Sequence, residues 1–166
     1  MTQASAFSTP WGWVTITAST KGITAIDLGS PAPVTHHGLP GDDFAASLLK
    51  EAQAQLVAYF EGRRCEFTFP VDWSAGTSFQ RKVWKAIMRI PYGRVRSYQW
   101  VALRLGGKQY ARAVGMALGA NPVPIIVPCH RVIAHDGSLG GFSGGLPMKR
   151  RLLRLEGTLA QLRNAR

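Results

Sequence analysis

The hydrophobic period of this chain changes once, at Thr77, and that change limits what the chain can fold into. Before it, "WGWVTITAST" and "GITAIDLG" alternate partially with period two and are joined by "TKG", as in a β-hairpin. Residues 31 to 41, "PAPVTHHGLPG", form a loop rich in breakers. Asp42 or Asp43 then caps a helix to about Phe60, with Phe44, Leu48, Leu49, Ala52 and Leu56 on one face. Gly62 ends it, and "CEFTFPV" has the composition of another strand. After the change, Thr77-Ser78-Phe79-Gln80 makes a capping box, and Phe79, Val83, Ile87 and Ile90 recur at helical spacing. The pattern predicts a small α/β domain over residues 1–72 and a mainly helical domain over residues 73–166.

In the second domain "PYGR", residues 91 to 94, breaks the chain, and Ser97 caps a second helix that stops at Gly106-Gly107. A third helix, "KQYARAVGMALGA", ends where Asn121-Pro122 prevents continuation. Two short helices around a glycine-containing turn predict a helix-turn-helix. The third helix is almost wholly small or apolar, with Arg112 near its start. Gly115 and Gly119 each cost it roughly 1 kcal/mol of helix propensity relative to alanine. Two explanations stand side by side. Either a neighbouring helix packs closely there, or something narrow approaches from outside, such as a DNA minor groove with Arg112 inserted.

Charge divides the chain at the same place. Residues 1–72 hold four Lys/Arg against seven Asp/Glu, a balance of −3. Residues 73–166 hold sixteen against two (Asp136 and Glu156), a balance of +14. So uneven a field favours a polyanionic partner, nucleic acid above all. No apolar run approaches the length of a membrane span, and the opening residues lack a signal-peptide pattern, so a cytoplasmic protein without a membrane partner is expected. Cys65 and Cys129 are the only cysteines; with no C-x-x-C pair, neither a disulfide framework nor a metal or other cofactor is expected.

The chemistry concentrates in "NPVPIIVPCHRVIAHDG", where a rigid apolar run leads into Cys129, His130 and Arg131. A thiol attacks as thiolate and needs a base or positive surroundings. His130 and Arg131 offer both, and Glu156 is the carboxylate that would hold the imidazole in its accepting tautomer. Against this, a lone cysteine is commonly a small buried hydrophobe, and Glu156 has arginines nearby to pair with on a solvated face. A thiol hydrolase using Cys129, His130 and Glu156, and a non-catalytic helix-turn-helix regulator, are the rival functions.

Three stretches, "FQRKVWKAIMRIPYGRVRSYQWVA", "ARAVGMALGANPVPIIVPCHRV" and "GGFSGGLPMKRRLLRLEG", together resemble the O6-alkylguanine-DNA alkyltransferases, whose hallmark is Pro-Cys-His-Arg. The resemblance runs from about Phe79 to Gly157, and the first seventy residues fit loosely as the family's N-terminal domain. It implies a ribonuclease H-like α/β domain followed by a winged-helix-like domain with the helix-turn-helix. It implies repair of O6-alkylguanine, and of O4-alkylthymine, by irreversible transfer of the alkyl group to the protein after base flipping, once per molecule. Cys129 would be the nucleophile, His130 its base through a water, Glu156 the group orienting His130, and Asn121 the brace of the turn. Tyr98, Val132, Phe142, Ser143, Lys149 and Pro124 would surround the base. Arg112 would fill the space the base leaves, with Ala113, Gly115 and Ser97 against the DNA. The partner would be double-stranded DNA, held by its minor groove by a monomer, with cooperativity open and a nucleoid location if the cell is prokaryotic. Two departures stand out. Phe142 replaces a tyrosine common in the family, and the first domain offers only Cys65, His36 and His37 where some members bind zinc.

Overall fold

The computed structural model describes residues 2–29 and 43–162. It divides into two compact units, Met1–Ala75 and Gly76–Arg166.

The first unit is a three-stranded antiparallel sheet with one helix. Strands β1 (Thr2–Thr9), β2 (Gly12–Ser19) and β3 (Ile23–Leu28) pair in chain order. The hairpin expected from "TKG" is β2–β3, with Ile16 opposite Ile26. Helix α1 (Asp43–Phe60) covers the sheet with Leu48, Leu49, Ala52, Leu56 and Tyr59 buried. Phe44, expected on that face, is instead 52% exposed. Ala45, one position on, is the first residue to turn inward. The helix stops at Gly62 (φ +73), where Arg63 N–H reaches back to Ala58 O at 2.9 Å. The breaker-rich loop and Asp42 lie outside the described residues.

"CEFTFPV" is not a strand. Only Val71 makes a bridge, parallel to Ile23. Pro70 O accepts from Ile23 N–H at 2.9 Å, but Thr68 turns to α1: its N–H donates to Gln55 Oε1 (3.0 Å), and Gln55 Nε2 donates to Thr68 Oγ1 (2.7 Å). Phe67 packs on Tyr59 and Phe69 on Phe67, while Pro70 has no N–H to give a ladder. Side chains of α1 thus replace a neighbouring strand.

The second unit is helical. Thr77 and Gln80 form the expected capping box of α2 (Ser78–Ile87), whose buried Trp84 donates from Nε1 to Ala117 O at 2.8 Å. The turn at residues 91 to 94 closes through Arg94 N–H to Pro91 O. A two-residue strand, β4 (Arg96–Ser97), leads into α3 (Tyr98–Arg104), where Ser97 Oγ accepts from Trp100 N–H at 3.0 Å. Gly106 (φ +124) ends that helix. A 3-10 turn (Lys108–Tyr110) then feeds α4 (Ala111–Gly119), so α3 and α4 form the helix-turn-helix. Strand β5 (Val132–Ile133) pairs in parallel with β4, and α5 (Leu146–Leu155) and a short α6 (Leu159–Leu162) finish the unit. No helix among the described residues is long and apolar enough to cross a membrane.

Candidate active site

The run from Asn121 to Arg131 is a braced turn. Asn121 is buried, accepts from Val123 N–H at 3.0 Å and donates to Val127 O at 2.8 Å, pinning both ends of a short loop. Inside that loop Ile125 has φ +75, the only positive φ on a described non-glycine residue. A β-branched residue there stores strain of order 1–3 kcal/mol, which the buried bonds of Asn121 offset. The chain leaves this loop through Pro128 into the 3-10 turn Cys129–Arg131.

That turn aims three side chains at different partners. Cys129, 5% exposed, lines a cleft of about 350 Å³ with Tyr98, Gly115, Leu118, Gly119, Gly141, Phe142 and Ser143. His130 is fully buried, and its Nε2 lies 2.8 Å from Glu156 Oε1. Arg131 binds the same carboxylate twice, Nε to Oε2 and Nη2 to Oε1 at 2.9 Å each, and donates from Nη1 to Ile90 O. Sequence reasoning gave Arg131 only a charge beside the thiol. Its observed place is that of the counter-ion which keeps Glu156 ionised.

The electrostatics follow from these contacts. Burial alone would raise Glu156, but hydrogen bonds from His130 and Arg131 outweigh it and hold the carboxyl at about 2. An ionised Glu156 can only accept, so His130 Nε2 carries the proton and Nδ1 is the free lone pair. That Nδ1 is buried with no hydrogen-bond partner among the described residues. Burial pushes His130 down, so the ring is neutral. Burial pushes the Cys129 thiol up, against Asn121 and the charge of Lys149, which favour thiolate. The resting site therefore holds a neutral thiol, a neutral imidazole with one acceptor to spare, and a buried carboxylate behind it.

Lys149 is fully buried, and its Nζ donates to Val132 O (2.7 Å), Leu139 O and Gly141 O (3.0 Å). Burial lowers it to about 8. It ties the glycine-rich loop, which carries Phe142 and Ser143, to β5. Gly140 (φ +69) lets the loop pass Tyr98, since a Cβ there would lie 2.6 Å from Tyr98 Oη. Burial raises Tyr98, so its phenol stays a donor.

The expected site residues fall in four places. Cys129, Tyr98, Gly115, Phe142 and Ser143 share the cleft, and His130, Glu156, Asn121, Val132 and Lys149 build its back. Arg112 is exposed on α4, Ala113 is half-buried, and Ser97 caps α3. Pro124 is buried in the braced turn and is not among the cleft-lining residues. Gly119, noted in the sequence with Gly115, also lines the cleft, as do Leu118 and Gly141, which no chemical signal in the sequence marks.

A Cβ at Gly119 would meet nothing within 4 Å, and one at Gly115 would touch only the Tyr98 ring at 3.9 Å, an ordinary contact. Close packing inside the protein is not what they serve.

Fold and site together define a two-domain protein whose helical half joins a helix-turn-helix to a buried cysteine–histidine–glutamate set. Family models agree: residues 4–73 match the ribonuclease-like domain of 6-O-methylguanine DNA methyltransferase, and residues 78–158 match its DNA-binding domain. The chain belongs to the 6-O-methylguanine DNA methyltransferase family. It is 54% identical over 102 residues to the methylated-DNA–protein-cysteine methyltransferase of Mycobacterium tuberculosis, a match covering 61% of each chain. The crystal structure of the M. tuberculosis O6-methylguanine methyltransferase superposes with a TM-score of 0.77 at 38% identity, over 94% of this chain and 93% of that one. A second structure, M. tuberculosis OGT in complex with DNA, gives the same score and identity over 92% and 91%.

Proposed function

We propose that this protein repairs O6-alkylguanine in double-stranded DNA by moving the alkyl group onto Cys129, once per molecule. The observation that carries the reading is the Cys129 cleft backed by His130, whose buried Nδ1 is left as an acceptor by the Glu156–Arg131 pair. The relative solved in complex with DNA supports DNA as the partner, and the basic second half supports it independently.

The alkylated base lies inside the duplex and must be extruded, at a cost of a few kcal/mol. The minor groove faces α4, Arg112 enters the gap in the stack, and the base enters the cleft between Tyr98 and the glycine-rich loop. The Cys129 proton passes through a water to His130 Nδ1, which no protein group occupies among the described residues, while Glu156 holds the opposite ring edge. The thiolate attacks the alkyl carbon in line; the S–C bond forms as the C–O6 bond breaks. The electron pair leaves on O6, where donors such as Tyr98 Oη and Ser143 stabilise guanine. Polarizable sulfur suits displacement at carbon, and Lys149 adds charge that favours the thiolate. The product thioether has no hydrolytic exit. O4-alkylthymine presents the same alkyl–oxygen bond and is a second substrate. The protein acts as a monomer, in the cytoplasm and at the nucleoid in a cell without a nucleus.

Incubation with excess methylguanine duplex tests this. Repair should plateau at one methyl group per chain. Continuing turnover would point to a hydrolase, and DNA binding without any transfer to a regulator.

A further inference from the structure

We infer that Met116 is a wedge residue, which inserts beside Arg112 into the base step next to the extruded nucleotide. The inference rests on the function proposed above and goes beyond it to a second residue that opens the stack.

Helix α4 has two faces. Val114, Ala117 and Leu118 are buried, and Ala117 receives the Trp84 indole. Arg112, Gly115, Met116 and Gly119 follow the i, i+3, i+4, i+7 spacing and share the opposite face. Gly115 and Gly119 line the Cys129 cleft, so this face ends at the cleft mouth. Met116 stands between them, 73% exposed, more than any other exposed large hydrophobic residue described.

A single exposed apolar side chain is ordinary on a protein surface. This one differs in its place. It stands between Gly115 and Gly119, two positions of that face without a side chain, so another molecule can approach the backbone there and meet Met116 together with Arg112. Its thioether is unbranched, flexible and polarizable, which suits insertion against stacked bases. Proteins that open the minor groove commonly pair basic side chains with apolar wedges, methionine among them. Arg112 supplies the charge and Met116 the apolar volume, one helical turn apart. A core role is excluded by the exposure, and an alkyl-pocket role by its absence from the cleft lining.

The test compares transfer from methylguanine in a duplex with transfer from the free modified base, as a ratio of single-turnover rates. Met116→Ala should lower the ratio roughly tenfold or more, the scale set by losing burial of one methionine side chain. Met116→Leu should restore it. In a Cys129→Ser background, 2-aminopurine placed beside the lesion should brighten on binding, with less gain when Met116 is alanine and recovery when it is leucine. Met116→Ala with the wild-type ratio and full 2-aminopurine signal would overturn this inference alone. Wild-type protein that transferred from neither substrate would overturn the proposed function and this inference with it.

Discussion

Replacing Glu156 with glutamine changes one charge and almost no volume, and it probes stability and proton transfer together. The carboxyl titrates at about 2 in the fold against 4.5 ordinarily, a difference that contributes about 3 kcal/mol at neutral pH. The folded state binds fewer protons than the unfolded chain in that window. The contribution is therefore complete above about pH 4.5 and lost as pH falls towards 2. In Glu156→Gln, buried Arg131 keeps Ile90 O but loses its carboxylate, a loss of about 3–5 kcal/mol for a broken buried pair. Arg131 can only donate, so the amide oxygen should turn to it and the amide NH2 should face His130 Nε2. That nitrogen must then accept, the proton moves to Nδ1, and the acceptor for the thiol proton is gone. Urea unfolding should show the variant weaker than wild type at about pH 7, with the gap narrowing towards about pH 3. Single-turnover transfer should fall by about 10²–10⁴, the worth of a positioned base. A gap that stays constant over this range, or a variant that transfers at the wild-type rate, would refute the reasoning.

Two further outcomes follow from the same geometry. Arg112→Ala should slow repair in duplex DNA far more than transfer from a free modified guanine, which has no stack to leave; equal losses on both substrates would assign Arg112 to folding or to the pocket. Gly140→Ala places a methyl group 2.6 Å from Tyr98 Oη at φ +69, so it should displace Tyr98 and slow transfer from both substrates alike, and unchanged rates would deny Tyr98 its role.

Local signals in the sequence were accurate where a side chain satisfies its own backbone. Thr77 with Gln80, and Ser97 with Trp100 N–H, mark helix starts that the structure reproduces. β1 went unread because "TQASAFST" has one buried apolar residue, Phe7, and no period to detect. "CEFTFPV" misled for the opposite reason: its aromatic alternation is real, but the Gln55 amide captures its polar groups from across the unit. In the site, the residue types of Cys129, His130 and Glu156 were legible, and their arrangement was not. Adjacent positions in a 3-10 turn diverge, so Cys129 faces the cleft while His130 and Arg131 face Glu156. That Arg131 shares the carboxylate, and that Ile125 carries the turn's strain at φ +75, depend on contacts 25 residues away and on a backbone angle no β-branched residue advertises.

The central claim is that one buried thiol receives the alkyl group, and peptide mapping by mass spectrometry tests it most directly. After incubation with a methylguanine duplex, the wild-type peptide containing Cys129 should carry one methyl group and the exposed Cys65 none. Cys129→Ser should bind the same DNA and remain unmodified, because phosphate contacts supply most of the affinity. A methyl group on Cys65, or on any residue of the Cys129→Ser protein, would contradict the account.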